Sequence, residues 1–232
     1  MTGDDVLIEP GVPTLRRDAA RNRDKILAAA RATFDQEGVD AGVEVIAKRA
    51  GVGVGTLYRR FPTKELLIEA VVDEVLHALL DAATEALGHA SPADGLANYL
   101  RAVGQVQFEH SGCLTRLWTS GHTEIRSDIE RSTRELLVRA QAVGAVRSDL
   151  VYEDVVVLVW SLRGVIEATS TVSPDAWLRH LELLLASLAP DDKPLRHPPL
   201  TKSQIEAAKA VVALESSARR ETDGGAGADR GG

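Results

Sequence analysis

This 232-residue chain has little cysteine, few aromatic residues and no long apolar run. A single cysteine, Cys113, excludes an internal disulfide framework and suits a reducing compartment. The longest apolar run, Val155 to Trp160, falls far short of the roughly 18–20 residues a membrane-spanning helix needs. Met1 to Pro13 is acidic and has no apolar stretch of the kind a secretory signal requires, so a cytoplasmic location is expected. No Cys-x-x-Cys or His-Glu-x-x-His spacing occurs, and His110-Ser111-Gly112-Cys113 offers too few ligands for a metal, so neither a metal nor a cofactor is expected. No nucleophile–base pair or carboxylate dyad marks an enzyme. Aromatics make up 4% of the residues, and the core must be built from Ala, Leu and Val, which suits closely packed helices.

The net charge of −7 is unevenly spread. Arg16 to Lys64 holds eleven Lys and Arg against six Asp and Glu, a local excess of +5, so the rest of the chain carries −12. A basic segment attached to an acidic body is a local phosphate footprint and disfavours DNA contact through any other face.

Along the chain, residues 1–15 contain Gly3, Pro10, Gly11 and Pro13 and read as a disordered leader. A first helix is expected from Asp18 to Glu37, with Ile26, Leu27, Ala30 and Phe34 on one face and Gly38 as its stop. Short helices follow at Val43 to Ala50 and about Val54 to Phe61, the second ended by Pro62. Thr63 caps a long amphipathic helix from Lys64 to about Leu87. Ser91-Pro92 and Ser173-Pro174 each read as a capping serine followed by proline at the first helical position. Asp128 to Val143 and Glu153 to Thr169 read as further helices, joined by a turn over Gly144 to Val151. The expected division is therefore 16–63 for a first domain and 64–190 for a second, with 191–232 as linker, extra helix (201–219) and disordered tail. The fold class is all-α: an N-terminal three-helix helix-turn-helix domain and a C-terminal helical bundle.

The string from Ile46 to Leu67, IAKRAGVGVGTLYRRFPTKELL, carries the function. Ala47 and Ala50 are small enough for two helices to cross closely, and Gly51 supplies the positive φ of a sharp turn. Such a pair places its second helix in the DNA major groove. That helix offers Val54, Gly55, Thr56, Tyr58, Arg59 and Arg60 outward: an apolar contact for a thymine methyl, a bare backbone, a hydroxyl, a phenol and two guanidinium groups. Arg16 and Arg17, with Arg21 and Arg23, form a basic arm suited to phosphate or minor-groove contact. Gly51, Gly53 and Gly55 do not have nucleotide-loop spacing, and no strand precedes them.

This segment resembles the TetR family of bacterial transcription regulators, whose DNA-binding domain is similar to AA…F…G…IA..AGV..GTLY..F..K..L. The matching residues are Ala29, Ala30, Phe34, Gly38, Ile46, Ala47, Ala50, Gly51, Val52, Gly55, Thr56, Leu57, Tyr58, Phe61, Lys64 and Leu67. The resemblance implies an all-helical homodimer on double-stranded, pseudo-palindromic operator DNA, acting as a ligand-responsive repressor. It implies phosphate or thymine contacts by Thr56 and Tyr58, a major-groove contact by Arg60 and a phosphate contact by Lys64. The stretch RSDLVYEDVVVLVWSLRGVIEA is similar to a penultimate helix that, with the last large helix, forms a four-helix dimer interface; Val159 and Leu184 are expected there. Gly42 and Gly53 depart from the pattern, each standing where a capping hydroxyl is usual. An activator, a constitutive DNA binder and a helical enzyme are the other readings.

The residues beyond the reading head exceed what dimerisation needs, and a small apolar or amphipathic effector is expected among them. Phe108, Trp118, His122, Trp160, Arg163 and Glu167 are its candidate contacts, polar or aromatic groups on otherwise apolar helices. Tyr99 and Trp177 read as core, with some of the aromatics available to line a cavity. Arg163 and Glu167 also read simply as an i, i+4 ion pair.

Overall fold

The computed structural model describes residues 12–111, 121–191 and 193–211, with side chains from residue 20 onward. Every regular element among them is helical, and the strand-like run Val155 to Trp160 lies inside a helix. None of these helices is long and apolar enough to cross a membrane. The chain divides into two compact units, Met1–Val71 and Val72–Gly232.

The first unit contains α1 (Val12–Glu37), α2 (Val43–Ala50), α3 (Val54–Arg60) and the opening turns of α4 (Lys64–Leu87). Helix α1 begins at Val12, inside the stretch read as a leader, because Pro13 falls in its first turn, where a missing N–H and a fixed φ cost nothing. Ile26, Leu27, Ala30 and Phe34 are buried, as are Ile46, Ala47, Leu57 and Phe61. The unit closes at Val71 rather than at residue 63, since Leu67, Ile68 and Val71 of α4 are buried and belong to it. Thr63 caps α4 by accepting the Leu66 N–H at 3.2 Å.

The second unit contains the rest of α4, then α5 (Pro92–Glu109), α6 (Thr123–Ala142), α7 (Tyr152–Thr169), α8 (Ala176–Ser187) and α9 over residues 202–211. Helix α5 packs against α6, α7 and α8. It starts as its sequence dictates, with Ser91 accepting the Asp94 N–H and Pro92 in the first turn. Leu96, Leu100 and Val103 meet Leu136, Leu162, Ile166 and Trp177 in one core. A β-carbon on Gly104 would stand 2.7 Å from the Trp177 ring, so only glycine lets that indole lie against α5. Phe108 stacks on the same ring, with centroids 5.8 Å apart.

Two helix starts differ from expectation. Helix α6 begins at Thr123, five residues before Asp128. Helix α8 begins at Ala176 with Asp175 rather than Ser173 as its N-cap residue, and no side chain caps it; Ser173 donates its N–H to Thr169 O and accepts that of Ala176, closing a turn instead. Val159 is buried in the core and Leu184 packs partly against it, so neither is simply a surface residue awaiting a partner. The expected helix over 201–219 is seen as 202–211, its remainder lying outside the described residues.

The chain after α8 is strapped down by one residue pair. Arg147 is buried, makes two hydrogen bonds to the Asp149 carboxylate at 2.8 and 2.9 Å, and donates to Lys193 O at 2.7 Å. Asp149 in turn accepts the Leu195 N–H at 2.9 Å. The Arg147 hydrogen bonds, followed by the Leu195 N–H, lower the Asp149 carboxyl to a pKa of about 2. A carboxylate depressed in this way stabilises the fold above its ordinary pKa, near 3.8, and loses that contribution as the pH falls toward 2. Thermal denaturation followed by circular dichroism between pH 5 and pH 2 should therefore show a steeper acid loss for the wild type than for Asp149→Asn. Equal slopes would remove the strap from the account.

Candidate nucleic-acid interface and internal cavity

The helix-turn-helix depends on how α2 ends. Gly51 sits at φ 67°, ψ 33°, and its N–H reaches Lys48 O at 3.2 Å while the Val52 N–H reaches Ala47 O at 3.0 Å. These two bonds satisfy carbonyls that the helix end leaves open, and they require a left-handed residue. A β-carbon on Gly51 would meet nothing within 4 Å, so the constraint is backbone conformation and not space. Helix α2 is held on α1 by Arg49, which donates to Thr33 Oγ1 at 3.1 Å and to Gln36 Oε1. Thr33 is buried and itself donates to Ala29 O. Arg49 is thus a structural cation despite its place in the basic segment.

Helix α3 separates an inner from an outer side. Leu57 is fully buried, while Val54 and Tyr58 are 36% and 43% exposed and Arg59 and Arg60 stand in solvent. Arg59 donates to Thr56 Oγ1 at 3.1 Å across one turn. Arg60 makes no hydrogen bond or ion pair among the described residues, and neither does the half-buried Lys64 beyond its helix. Gly53 is the N-cap of α3 and Gly42 that of α2, and neither helix has a side-chain cap, as the missing hydroxyls imply. Arg21 is exposed and Arg23 half-buried; Arg16 and Arg17 lie on α1, with their side chains outside the description.

The second unit holds a cavity of about 440 Å³ that opens to solvent on one side. Its apolar lining includes Leu76 and Leu79 of α4, Val103 of α5, and Val155 and Val159 of α7. Three buried polar residues interrupt that lining: Tyr99, Gln107 and Thr133. Gln107 donates Nε2 to Val159 O at 3.2 Å, and its Oε1 has no partner. An unsatisfied buried acceptor costs roughly 1–3 kcal/mol. The rim is charged on both sides: Lys202 lies 3.7 Å from Glu130, Lys209 2.7 Å from Glu206, and Arg134 bridges Glu130 and Glu153 while lying over the Tyr152 ring at 4.4 Å. Burial lowers the Arg126 guanidinium from its usual pKa, against the opposing pull of Glu206. Burial likewise raises the Tyr152 phenol.

None of Phe108, His122, Trp160, Arg163 and Glu167 lines this cavity, and Trp118, like Cys113, lies outside the described residues. Phe108 belongs to the Trp177 stack. His122 sits with Nε2 3.7 Å from Asp73. Arg163 and Glu167 form the i, i+4 ion pair at 2.6 Å. Tyr99 does line it, but Gln107 and Thr133 were missed. Their signal was a polar residue on an apolar stripe: Gln107 follows Tyr99, Leu100 and Val103 on one face of α5, and Thr133 precedes Leu136, Leu137 and Ala140 on α6. The tail residues Lys202, Glu206 and Lys209 had no such signal. Among the described residues no three His, Cys, Asp or Glu side chains converge on a metal position.

The glycines of this region should separate by backbone state. Gly51→Ala forces a left-handed alanine and should cost roughly 1–2 kcal/mol. Gly55→Ala fills open space within an exposed helix and should gain roughly 0.5–1 kcal/mol. Urea unfolding of the two variants measures both signs, and a stable Gly51→Ala would remove the turn from its central role.

The family model for bacterial regulatory proteins of the tetR family matches residues 26–71, which include α2, α3 and the last turns of α1. An HTH-type transcriptional regulator of Staphylococcus aureus is 40% identical over 67 residues, 28% of this chain and 36% of that protein. The present chain thus aligns with only about a third of the length of such curated relatives. The crystal structure of a TetR transcriptional regulator from Streptomyces coelicolor is 35% identical, with a TM-score of 0.55 over 72% of this chain and 98% of that one. A TetR regulatory protein from Mycobacterium vanbaalenii is 28% identical, with a TM-score of 0.56 over 75% and 99%. With the reading-head motif matched in sequence, and the whole length of a solved relative matched in both sequence and fold, the chain belongs to the TetR family of bacterial transcription regulators.

Proposed function

We propose that this protein is a cytoplasmic, ligand-responsive repressor that binds a pseudo-palindromic operator as a homodimer. The observation that carries this reading is α3, which is anchored by Leu57 and turns Tyr58 and Arg60, with the half-buried Thr56, outward inside a segment of +5 in an otherwise acidic chain. In this reading Arg60 reads a base edge in the major groove, and Thr56, Tyr58, Arg59 and Lys64 hold phosphates, with Arg16 and Arg17 as a leading arm. Bare backbone at Gly53 and Gly55 lets the start of α3 approach the duplex. No reaction is assigned to the chain.

The homodimer is supported by apolar side chains left outward on the last two large helices: Val157 on α7, and Leu178 and Leu183 on α8, are 40%, 44% and 58% exposed. Gly164 and Ala168 on α7 are exposed as well, allowing close helix approach. The effector response is supported by the cavity, whose volume of about 440 Å³ suits a drug-sized molecule. Leu76 and Leu79 place α4 in its wall, and the same helix begins in the first unit at Lys64. A ligand that binds two tilts of α4 unequally shifts operator affinity, and the operator must shift ligand affinity by the same factor.

Fluorescence anisotropy on DNA selected from a random pool tests the central claim. Affinity should fall steeply with salt, Lys64→Ala should shallow the salt slope by about 1, and Arg60→Ala should cost roughly 1–3 kcal/mol at one base position. Gly55→Ala, though more stable, should bind less tightly. Salt-independent binding, or equal loss of specific and non-specific affinity in Arg60→Ala, would overturn the assignments.

Sedimentation at micromolar concentration tests the dimer. Leu183→Glu should yield a folded monomer, because Leu183 stands outside the core of its own chain. A wild type that is already monomeric, yet fully specific for DNA, would defeat the arrangement.

A further inference from the structure

The mouth of the cavity is charged against the trend of the chain around it. Outside Arg16 to Lys64 the sequence sums to −12, yet the residues lining the cavity include Arg126, Lys202 and Lys209 against Glu130 and Glu206, a balance of +1. Each of these carboxylates is already divided between two cations. Glu130 meets Arg134 at 2.9 Å and Lys202 at 3.7 Å, and Glu206 holds Lys209 at 2.7 Å while also attracting Arg126. Counting Arg134 together with its second partner, Glu153, leaves the balance unchanged. Two of the cations are poorly hydrated: the Lys209 side chain is 21% exposed, and Arg126 is half-buried with its Nε closed off from solvent. A cation drawn out of water is costly unless negative charge stands against it. Arg126 also lies in the opening turn of α6, where the helix dipole favours a nearby anion, and Thr123 and Ser127 share its face of that helix. Deeper in, the protein engages its own polar groups. Thr133 bonds Tyr99 at 2.9 Å, Gln107 Nε2 bonds Val159 O, and Gln107 Oε1 has no surface open to the cavity.

Resting on the reading of this cavity as the effector site, we infer that it takes an amphipathic monoanion, an apolar body ending in a carboxylate, with Arg126 as the counter-ion. The body lies against Leu76, Leu79, Val103, Val155 and Val159, and the head stays at the open, charged mouth. There a carboxylate brings the local balance from +1 to neutral and accepts charge-assisted hydrogen bonds from the guanidinium. Because the mouth opens to solvent, the head keeps part of its hydration and avoids the full cost of burying a charge. A neutral amide of the same shape keeps the apolar contacts and forfeits the charge. An ammonium of similar size raises the balance to +2.

Three matched probes test this on the full-length chain at neutral pH: para-hexylbenzoate, para-hexylbenzamide and para-hexylbenzylammonium, with binding read by isothermal titration and by thermal shift. The benzoate should bind roughly tenfold tighter than the amide, and the ammonium weakest of the three. Arg126→Gln should bring the benzoate down to the level of the amide while leaving the amide unchanged, and Arg126→Lys should keep part of the preference, with wild-type-like circular dichroism showing that each variant folds. Lys209→Met releases Glu206 to Arg126 and should narrow the preference as well, serving as the second variant should Arg126→Gln not fold. Equal binding of benzoate and amide, tighter binding of the ammonium, or a preference unchanged in both variants overturns the anion rule and leaves the cavity as an effector site. Binding of none of the probes to the wild type overturns the effector reading itself.

Discussion

The second unit depends on the burial of α5. It touches α6, α7 and α8, so the positions it turns inward must be apolar or small, while Asp94, Asn98, Arg101, Gln105 and Glu109 stand in solvent. Leu96, Leu100 and Val103 meet that demand by size, and Gly104 meets it by absence, admitting the Trp177 ring where any β-carbon would collide. With so few aromatic residues in the chain, that indole and its Phe108 partner supply much of the bulk at this end of the core. On such a helix a polar side chain is expensive. Tyr99 and Gln107 are the two that α5 buries, and both stand in the wall of the cavity. Where the packing rule is broken is where the molecule has room for something else.

In the first unit the same tension appears as glycine. Gly51 is required by its left-handed backbone, whereas Gly53 and Gly55 have neither positive φ nor a near neighbour to justify them. Gly55 inside the short helix costs stability that alanine would return, and Gly53 at its N-cap gives up the side-chain bond that serine would make. A helix of seven residues that is capped by no side chain holds together by the burial of Leu57 and by its neighbours, not by its own propensity. Its composition makes sense as a surface meant to be approached closely, and the exposed Tyr58 and Arg60 beside it fit that purpose.

The reading head was legible because its constraints are local. Ala47, Gly51, Leu57 and Phe61 act within a few residues of one another, so their spacing fixes the turn and the burial together. Helix starts were legible where the signal was a side chain, as at Thr63 and Ser91, and failed where a turn used the same residues, as at Ser173. Pro13 misled for the opposite reason: proline in a first turn and proline in a leader look alike until the following residues are known to be helical. The cavity was hardest to place, because its lining comes from separate helices whose rotation is set by tertiary packing. Arg163 and Glu167 look like an anchored polar pair in sequence, yet they satisfy each other along one helix face. Gln107 and Thr133 show only as single polar interruptions.

The wall contributed by residues 202–211 is held differently from the others. A helix this short has little stability of its own. It is started by a reciprocal cap, in which the Thr201 N–H reaches Gln204 Oε1 at 2.8 Å and the Gln204 N–H reaches Thr201 Oγ1 at 3.3 Å. One residue, Ile205, buries itself fully. The helix's other ties to the body are polar: the attraction of Glu206 for the Arg126 guanidinium, and the Lys202–Glu130 contact at 3.7 Å, in which Lys202 is largely in solvent and so of little energetic weight. The Arg147–Asp149 strap therefore matters beyond its own bonds. By fixing the backbone at Lys193 and Leu195 it shortens the free chain leading to Ile205, which reduces the entropy lost when that side chain docks. Helices α4, α5, α6 and α7 supply the rest of the cavity wall, and a short, tethered helix completes it, so the tail is the wall whose displacement costs least.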